Sequence, residues 1–393
     1  MRLPLVLFAA SFLMDGCMGV FNLALPQFGG QLGLSPAEIG LAKGAATLPY
    51  ALICVFAGAL GDRLGWRPVA AVGCFCISVS HFFVPMANGL ASLMIVCLAV
   101  SAAQGLFWPP FEGMTGVGKS GADLSKQLVP LNVSWSLGYM SGLFACGYLI
   151  STFIRLPFYV AAGAGFVAGL VVLIVRVPEQ QVPSERLSKN AKATDLSRSA
   201  KTTPDSRHHR YTLAHRLANF VSYFCLAVVL TYFPARASEL SLDSRAISNL
   251  VFLLGALRVA IFFVLGSWHQ WHYRPGYTLG SQVLGLAGMA GLVFLESQLL
   301  LFISLGCVGI MLGVTYVGSM YYSVNSDHSL GQKAGWHESM LRLGEFTGGV
   351  TGGFAASHFG DSRTPFVLGA GMVVMAVIVC GWLMKSDRAK AER

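Results

Sequence analysis

Four ionisable side chains lie deep inside long apolar stretches of the 393-residue sequence. Asp15 is about eleven residues into the first stretch, and Arg258 is about twelve residues into the eighth. Arg342 and Glu345 occur in the eleventh stretch, where their i, i+3 spacing puts them on one face of a helix. A charge at the centre of a membrane helix costs about 2.5–3.5 kcal/mol on insertion scales, so each of these positions suggests a function.

The chemistry available to these groups is proton exchange and anion binding. Asp15 is the first candidate for a protonation site, because a buried carboxyl group can take up a proton near neutral pH; the alternative is a structural acid bonded to a neighbouring helix. Arg258 cannot lose its charge, so it must face a carboxylate, a cavity or an anionic substrate. An ion pair of Arg258 with Asp15 or Glu345 is the structural alternative. Arg342 and Glu345 either pair within their helix or line a cavity.

Aromatic residues with polar neighbours could add a binding pocket. Gln104 and Trp108 share a face of the fourth apolar stretch, and Trp135 and Tyr139 are roughly in register in the fifth. Such a set suits a partly apolar ligand. The alternative for each aromatic side chain is ordinary packing or anchoring at the membrane interface.

The elements that carry these residues are predicted to be membrane-spanning helices. Apolar residues make up 54% of the chain and charged residues only 11%, which excludes a soluble globular protein. About twelve apolar stretches are long enough to cross a bilayer. Lys43 and Glu112 are expected near span ends, with their charges reaching toward water. The predicted spans are 4–25, 39–61, 68–87, 90–112, 127–150, 157–177, 213–234, 246–267, 275–296, 298–322, 335–357 and 364–384.

The distribution of lysine and arginine predicts the orientation. Loops on the side of the two termini hold 20 of these residues, the other loops hold 4, and three lie inside spans. Positive loops stay in the cytoplasm, so both termini are expected there, in the cytoplasmic (inner) membrane. The net charge of +9 is therefore a topology signal and not a sign of nucleic-acid binding. The cysteines fall mostly inside spans, without metal-binding spacing, and no cofactor is predicted.

The two halves of the chain resemble each other at a shift of 206–208 residues. Pro26 corresponds to Pro234, and Gly138 and Gly142 correspond to Gly344 and Gly348. The polar segment between the halves has the composition of a flexible linker. We therefore predict an all-α protein with twelve transmembrane helices in two pseudo-symmetric halves, residues 1–177 and 211–393, joined by a cytoplasmic linker, residues 178–210.

One short loop carries a family resemblance. The stretch "GALGDRLGWRPV" is similar to the loop between the second and third helices of the major facilitator superfamily, G-x-L-x-D-R-x-G-R-R/K, although Trp66 replaces one arginine. Gly65 suits the tight reversal between two spans. The resemblance implies that Asp62 contacts the start of the eleventh helix near residues 334–338 and latches the halves together; a simple positively charged turn is the alternative. The matching residues that we assign to this gating loop are Gly58, Asp62, Arg63, Gly65 and Arg67.

The end of the first span, "NLALP" from Asn22 to Pro26, is similar to a motif of proton-driven drug exporters in the superfamily. Here Asp15 precedes Asn22 by seven residues instead of five, and the fifth span lacks the proline of the exporters' glycine-proline motif. Asn22 is included among the candidate substrate or coupling residues on this basis.

The expected function is secondary active transport of a small molecule by alternating access, coupled to protons. Export of an amphipathic or anionic compound is the leading hypothesis. The alternatives are proton-coupled uptake of a small organic anion and a sensor or assembly protein that binds ligand without moving it. No enzyme motif is present. The expected partners are a small-molecule substrate, protons and the lipid bilayer, with no nucleic acid, and a monomer is expected.

Overall fold

The computed structural model describes residues 3–116, 121–174, 206–268, 270–324 and 330–385. These ranges are almost entirely helical and contain no strand. Within these ranges the first half contains seven α-helices: α1 (Leu3–Gln31), α2 (Pro36–Ala45), α3 (Thr47–Leu64), α4 (Trp66–Phe83), α5 (Leu90–Gly116), α6 (Gly121–Thr152) and α7 (Leu156–Ile174). The described part of the second half contains six: α8 (Ser206–Glu239), α9 (Ser244–Ser267), α10 (Pro275–Phe294), α11 (Gln298–Val324), α12 (Leu330–Phe359) and α13 (Thr364–Lys385).

Ten of the described helices are long and apolar enough to cross a membrane. The remaining two predicted spans correspond to the α2–α3 pair and to α12. The protein is therefore a multi-pass membrane protein with twelve predicted crossings in two six-span halves, as the sequence indicated. The second half starts earlier than expected, because α8 begins at Ser206, inside the range assigned to the linker. Residues 178–205 of that predicted linker lie outside the described residues.

The second predicted span is not one continuous helix. It divides at Ala46, where α2 ends and α3 begins. Pro49 accounts for this break, since proline has no N–H to donate to the carbonyl of Ala45 and its ring crowds that carbonyl. The hydroxyl of Thr47 donates to the carbonyl of Gly44 at the break, 2.9 Å away. Residue types alone thus explain the division, which the sequence analysis did not predict.

Each half is built on a close contact between its first and fifth spans. Gly142 of α6 lies against the carbonyl of Gly16 in α1, and Gly348 of α12 lies against the carbonyl of Phe224 in α8. A β-carbon at either glycine would overlap that backbone. The two contacts are equivalent in the repeat, because the partner positions differ by 206 and 208 residues. The internal repeat is therefore a repeat of packing as well as of sequence.

The two halves meet at one side of the bundle, which we call the distal side. It contains the end of α1 and the starts of α2 and α9. The opposite side, where α1, α8 and α12 begin, is called the terminus side. On the distal side the hydroxyl of Ser244 donates to Gln27 Oε1, 3.0 Å away, and the backbone N–H of Ala37 donates to the hydroxyl of Ser357, 3.0 Å away. These bonds join the halves across the distal side.

Ser248 of α9 makes the most enclosed of these cross-half contacts. Its side chain is fully buried, its hydroxyl donates to the carbonyl of Leu143 at 2.7 Å, and it accepts from the N–H of Gly147 at 2.6 Å. Both partners belong to α6, in the other half. They are the acceptor and the donor of a single i→i−4 pair of that helix, so one hydroxyl contacts both ends of one helical hydrogen bond.

Candidate functional site

A cavity of about 610 Å³ lies between the two halves. Its lining includes all nine residues that the sequence analysis proposed for substrate or proton coupling: Asp15, Asn22, Gln104, Trp108, Trp135, Tyr139, Arg258, Arg342 and Glu345. At its terminus-side edge, Glu112 and Ser339 are exposed. The contacts between the halves close the distal side, so the cavity opens toward the terminus side.

Asp15 is a buried acid on the wall of this cavity. It is 7% exposed, and its Oδ2 atom has no hydrogen-bond partner in the described part of the chain. The guanidinium groups of Arg342 and Arg258 both attract its charge, but neither lies within ion-pair distance among the described residues. A buried carboxylate without a direct partner is costly, so protonation relieves the cost. The geometry therefore does not support the alternative that Asp15 is a structural acid bonded to a neighbouring helix.

Arg258 is the corresponding buried cation. It is 4% exposed, and its Nε atom has no hydrogen-bond partner within the described ranges. Its guanidinium carbon lies 5.9 Å from the ring centroid of Trp135 and 5.8 Å from that of Tyr139. The ion pair with Asp15 or Glu345 that the sequence left open is not formed by the described atoms. Aromatic faces attract the cation without neutralising it, so Arg258 keeps a full charge toward the cavity.

Arg342 and Glu345 pair with each other and also line the cavity, so both alternatives from the sequence analysis apply. Arg342 Nη1 lies 2.9 Å from Glu345 Oε2, and both residues line the cavity. The guanidinium group of Arg342 also lies 4.2 Å from the ring centroid of Tyr50 in α3. This contact joins α12 to the first half, so the pair is part of the wall between the halves. Glu338 lies one turn before Arg342 on the same helix, and its side chain is outside the described residues.

The polar and aromatic part of the lining is connected by hydrogen bonds. The Asn22 amide donates to the Tyr139 hydroxyl over 3.3 Å, and Tyr139 in turn lies beside Arg258. Gln104 is buried at 8% exposure on α5, and Trp108 follows one turn later on the same face. The helix α5 continues through Pro109 and Pro110.

Sequence reasoning missed several residues of this cavity. Lys43 and Glu112 were expected at span ends, but both line the cavity. Lys43 is half-buried, and its ammonium group donates to the backbone carbonyl of Asn22, 2.9 Å away. Three tyrosines also went unnoticed, because tyrosine is common in membrane helices and nothing in their local sequence set them apart: Tyr50, Tyr223 and Tyr316.

The gating loop lies at the terminus side between α3 and α4. A single residue, Gly65, separates the two helices, and its φ of 93° lies in the left-handed region that favours glycine. This is the tight reversal that the sequence predicted. Arg63 and Arg67 are exposed there. The side chains of Asp62 and of residues 334–336 and 338, which the predicted latch requires, lie outside the described residues, as does the environment of Gly58.

The described residues contain no group of His, Cys, Asp and Glu side chains that could hold a metal ion. Among the described residues, the cavity offers the Asp15 carboxyl and the Arg258 guanidinium group, neither of them in an ion pair, together with an aromatic wall. Such a lining can exchange a proton and hold an amphipathic ligand.

A cavity between two similar helical halves, open on one side and closed on the other, is typical of membrane transporters. The model of the Major Facilitator Superfamily matches residues 7–329, most of the chain. The chain belongs to this superfamily, whose members are transporters.

Similar proteins and structures agree with this assignment. Quinolone resistance protein NorA of Staphylococcus aureus (strain MRSA252) is 25% identical over 180 residues, which are 46% of this chain and 46% of NorA. The match thus spans about half the length of that relative. A putative uncharacterized MFS-type transporter of Mycobacterium tuberculosis is 21% identical over 376 residues, covering 91% of this chain and 86% of that protein.

Two solved structures show the same fold over nearly the whole length. A mutant of the nucleoside transporter NupG superposes with a TM-score of 0.79 at 14% identity, covering 98% of this chain and 100% of that chain. A bacterial homolog to the human lysosomal transporter Spinster, in an inward-facing and occupied conformation, gives a TM-score of 0.75 at 12% identity, covering 97% and 96%. At these identities the likeness concerns the fold alone.

Proposed function

We propose that this protein is a proton-coupled exporter of small amphipathic compounds that carry an anionic group. The observation that carries the proposal is the pair of buried charges, Asp15 and Arg258, which form no ion pair within the described part of the chain and lie on the wall of one aromatic cavity. Asp15 is the proton site and Arg258 holds the anionic group. The partial similarity to NorA, whose name refers to quinolone resistance, supports export of drug-like compounds.

The same geometry supports alternating access as the mechanism. With both termini in the cytoplasm of an inner-membrane protein, the terminus side is the inner side, and the described conformation is open to the inside. The substrate enters from that side, the distal contacts between the halves break, and a proton arriving at Asp15 from outside resets the cycle. The proposed unit is a monomer in the bilayer.

The test is gradient-driven transport in proteoliposomes that contain the purified full-length protein. A fluoroquinolone with a free carboxylate is the probe, and its movement is followed while a pH gradient is imposed in either direction. We expect the compound to move against the proton gradient. Asp15→Asn abolishes the gradient-driven movement but leaves exchange of the probe between equal concentrations intact. The matched control, Asp361→Asn, changes an exposed acid outside the cavity and retains full transport.

Full gradient-driven movement in Asp15→Asn would remove this residue as the coupling site. Binding of the probe without movement in any gradient would contradict transport and favour a sensor.

Uptake of an organic anion together with protons is the second candidate. The favouring observation is that Arg258 attracts the Asp15 carboxylate from the same cavity wall, so protonation of Asp15 leaves the Arg258 charge available to an anion. In the same assay, this mechanism moves the probe in the direction of the proton gradient, so the sign of the response separates the two functions.

A further inference from the structure

The distal end of the cavity contains a backbone carbonyl that has lost its helical donor. In α1, the carbonyl of Asn22 would accept from the N–H of residue 26, but that residue is Pro26, which has none. The ammonium group of Lys43, from α2, donates to this carbonyl at 2.9 Å. A gap created by the proline of one helix therefore fixes the position of a lysine from the next.

The ammonium group of Lys43 has donors that no acceptor in the described part of the chain uses. An ammonium group carries three donors, and within the described part of the chain only the Asn22 carbonyl accepts from Lys43. Glu345 attracts the charge of Lys43 but lies beyond ion-pair distance, and its Oε2 atom is bonded to Arg342. A half-buried cation on a cavity wall, held in place and incompletely bonded, is suited to an anionic group of a ligand.

The position of Lys43 relative to Arg258 completes the geometry. A chain of contacts connects them: Lys43 to the Asn22 carbonyl, the Asn22 amide to the Tyr139 hydroxyl, and the Tyr139 ring to Arg258. The two cations thus stand on different helices, α2 and α9, with aromatic surface between them. Phe21 and Tyr139 both belong to the aromatic lining of the cavity.

We propose that Lys43 forms a second anion subsite, so that the preferred ligand is an organic dianion with an apolar body. One anionic group binds Arg258 and the other binds Lys43. This inference rests on the proposed function for the role of Arg258 and adds to it the substrate class.

The experiment is a binding comparison with two probes that differ by one charge. Naphthalene-2,6-dicarboxylate and naphthalene-2-carboxylate are titrated into purified full-length protein by calorimetry. We expect the wild-type protein to bind the dicarboxylate at least tenfold more tightly. Lys43→Met removes that advantage and changes the Kd of the monocarboxylate less than twofold, while Lys43→Arg retains a preference for the dicarboxylate. Arg258→Gln weakens both probes, and Arg155→Gln, an exposed arginine outside the cavity, weakens neither.

A lysine that only closes the gap in α1 gives a different result. In that case Lys43→Met lowers the thermal stability and weakens both probes equally, or leaves the preference for the dicarboxylate intact; either result overturns the subsite. Failure of the wild-type protein to bind the dicarboxylate at millimolar concentration overturns it as well. Neither result bears on proton-driven movement of the fluoroquinolone, so the two proposals can fail separately.

Discussion

At the scale of single residues, Ser248 decides how firmly the distal side is closed. Its hydroxyl donates a hydrogen bond to the carbonyl of Leu143 and accepts one from the N–H of Gly147. Both bonds cross the boundary between the halves. When the halves separate, these two backbone groups can bond each other, because they form one i→i−4 pair. Opening therefore leaves only the serine hydroxyl to be satisfied, and water can do that.

Replacing Ser248 by alanine should shift the protein toward opening of the distal side. A net hydrogen bond contributes about 0.5–1.5 kcal/mol, so the loss of two lowers the cost of opening by about 1–3 kcal/mol, roughly five- to 150-fold in population. The measurement is hydrogen–deuterium exchange in peptides from the distal ends of α1, α6 and α9, which should exchange faster.

The matched control for this variant is Ser267→Ala in the same helix. The Ser267 hydroxyl bonds only carbonyls of its own helix, those of Phe263 and Val264, and the residue is exposed. Equal exchange at the distal side in Ser248→Ala and in the wild-type protein would show that the hydroxyl does not hold the halves together.

At the scale of helices, the close contacts α1–α6 and α8–α12 set the shape of each half. Small residues let backbones approach in a membrane, where there is no hydrophobic drive between helices and packing contributes most of the association. Gly142 and Gly348 have no room for a side chain, whereas Gly163 of α7 and Gly371 of α13 face open space. Glycine is therefore required at the first two positions and incidental at the other two.

Alanine substitutions at the two kinds of position should change the thermal stability in opposite directions. Alanine is favoured over glycine in a helix by about 1 kcal/mol, but overpacking costs about 1–3 kcal/mol. We expect Gly142→Ala and Gly348→Ala to lower the thermal unfolding temperature in detergent. Gly163→Ala and Gly371→Ala should leave it unchanged or raise it. A rise of the unfolding temperature in all four variants would mean that helix propensity, and not packing, controls stability here.

Most of the helices could be predicted because the thickness of a bilayer fixes how many apolar residues a span requires. Pro49 could have predicted the break at Ala46. A hydropathy pattern is averaged over many residues, so a single proline does not change it. The candidate site was predictable where the cost of a buried charge marks a residue, as for Asp15 and Arg258. Lys43 was not predicted to line the cavity, because its position within a span does not show that it bonds the Asn22 carbonyl. That carbonyl is available only because Pro26, in another helix, has no N–H.

The contacts that close the distal side could not have been predicted from sequence. Ser248 bonds residues about a hundred positions away, in the other half. Such a pairing depends on the relative rotation and height of α6 and α9, and local residue patterns do not encode either quantity.

At the scale of the whole molecule, the predicted orientation makes the terminus side cytoplasmic. Two exposed serines mark the two sides: Ser267 at the terminus-side end of α9, and Ser297 between α10 and α11 on the distal side. In intact cells, a membrane-impermeant maleimide should label Ser297→Cys and spare Ser267→Cys until the cells are opened. The parent protein, whose own cysteines are buried or half-buried, provides the background. The reverse labelling pattern would invert the topology and with it the proposed direction of transport.

Most bonds that close the distal side are made by hydroxyl, amide and backbone groups; at the exposed edge, the guanidinium Nε of Arg245 also donates to the hydroxyl of Ser151, 3.0 Å away. Arg245 lies 5.6 Å from the ring centroid of Tyr148, and the described residues form no ion pair across the halves there. Neutral hydrogen bonds are nearly indifferent to ionic strength, whereas exposed charges weaken as salt shortens the screening length from about 10 Å at 0.1 M to 3 Å at 1 M. In the proposed orientation this side meets the outer medium, whose salinity the cell does not control. The closure of the distal side should thus depend only weakly on salinity, through the exposed Arg245 contacts, while the arginine-rich inner side works in a medium of regulated composition.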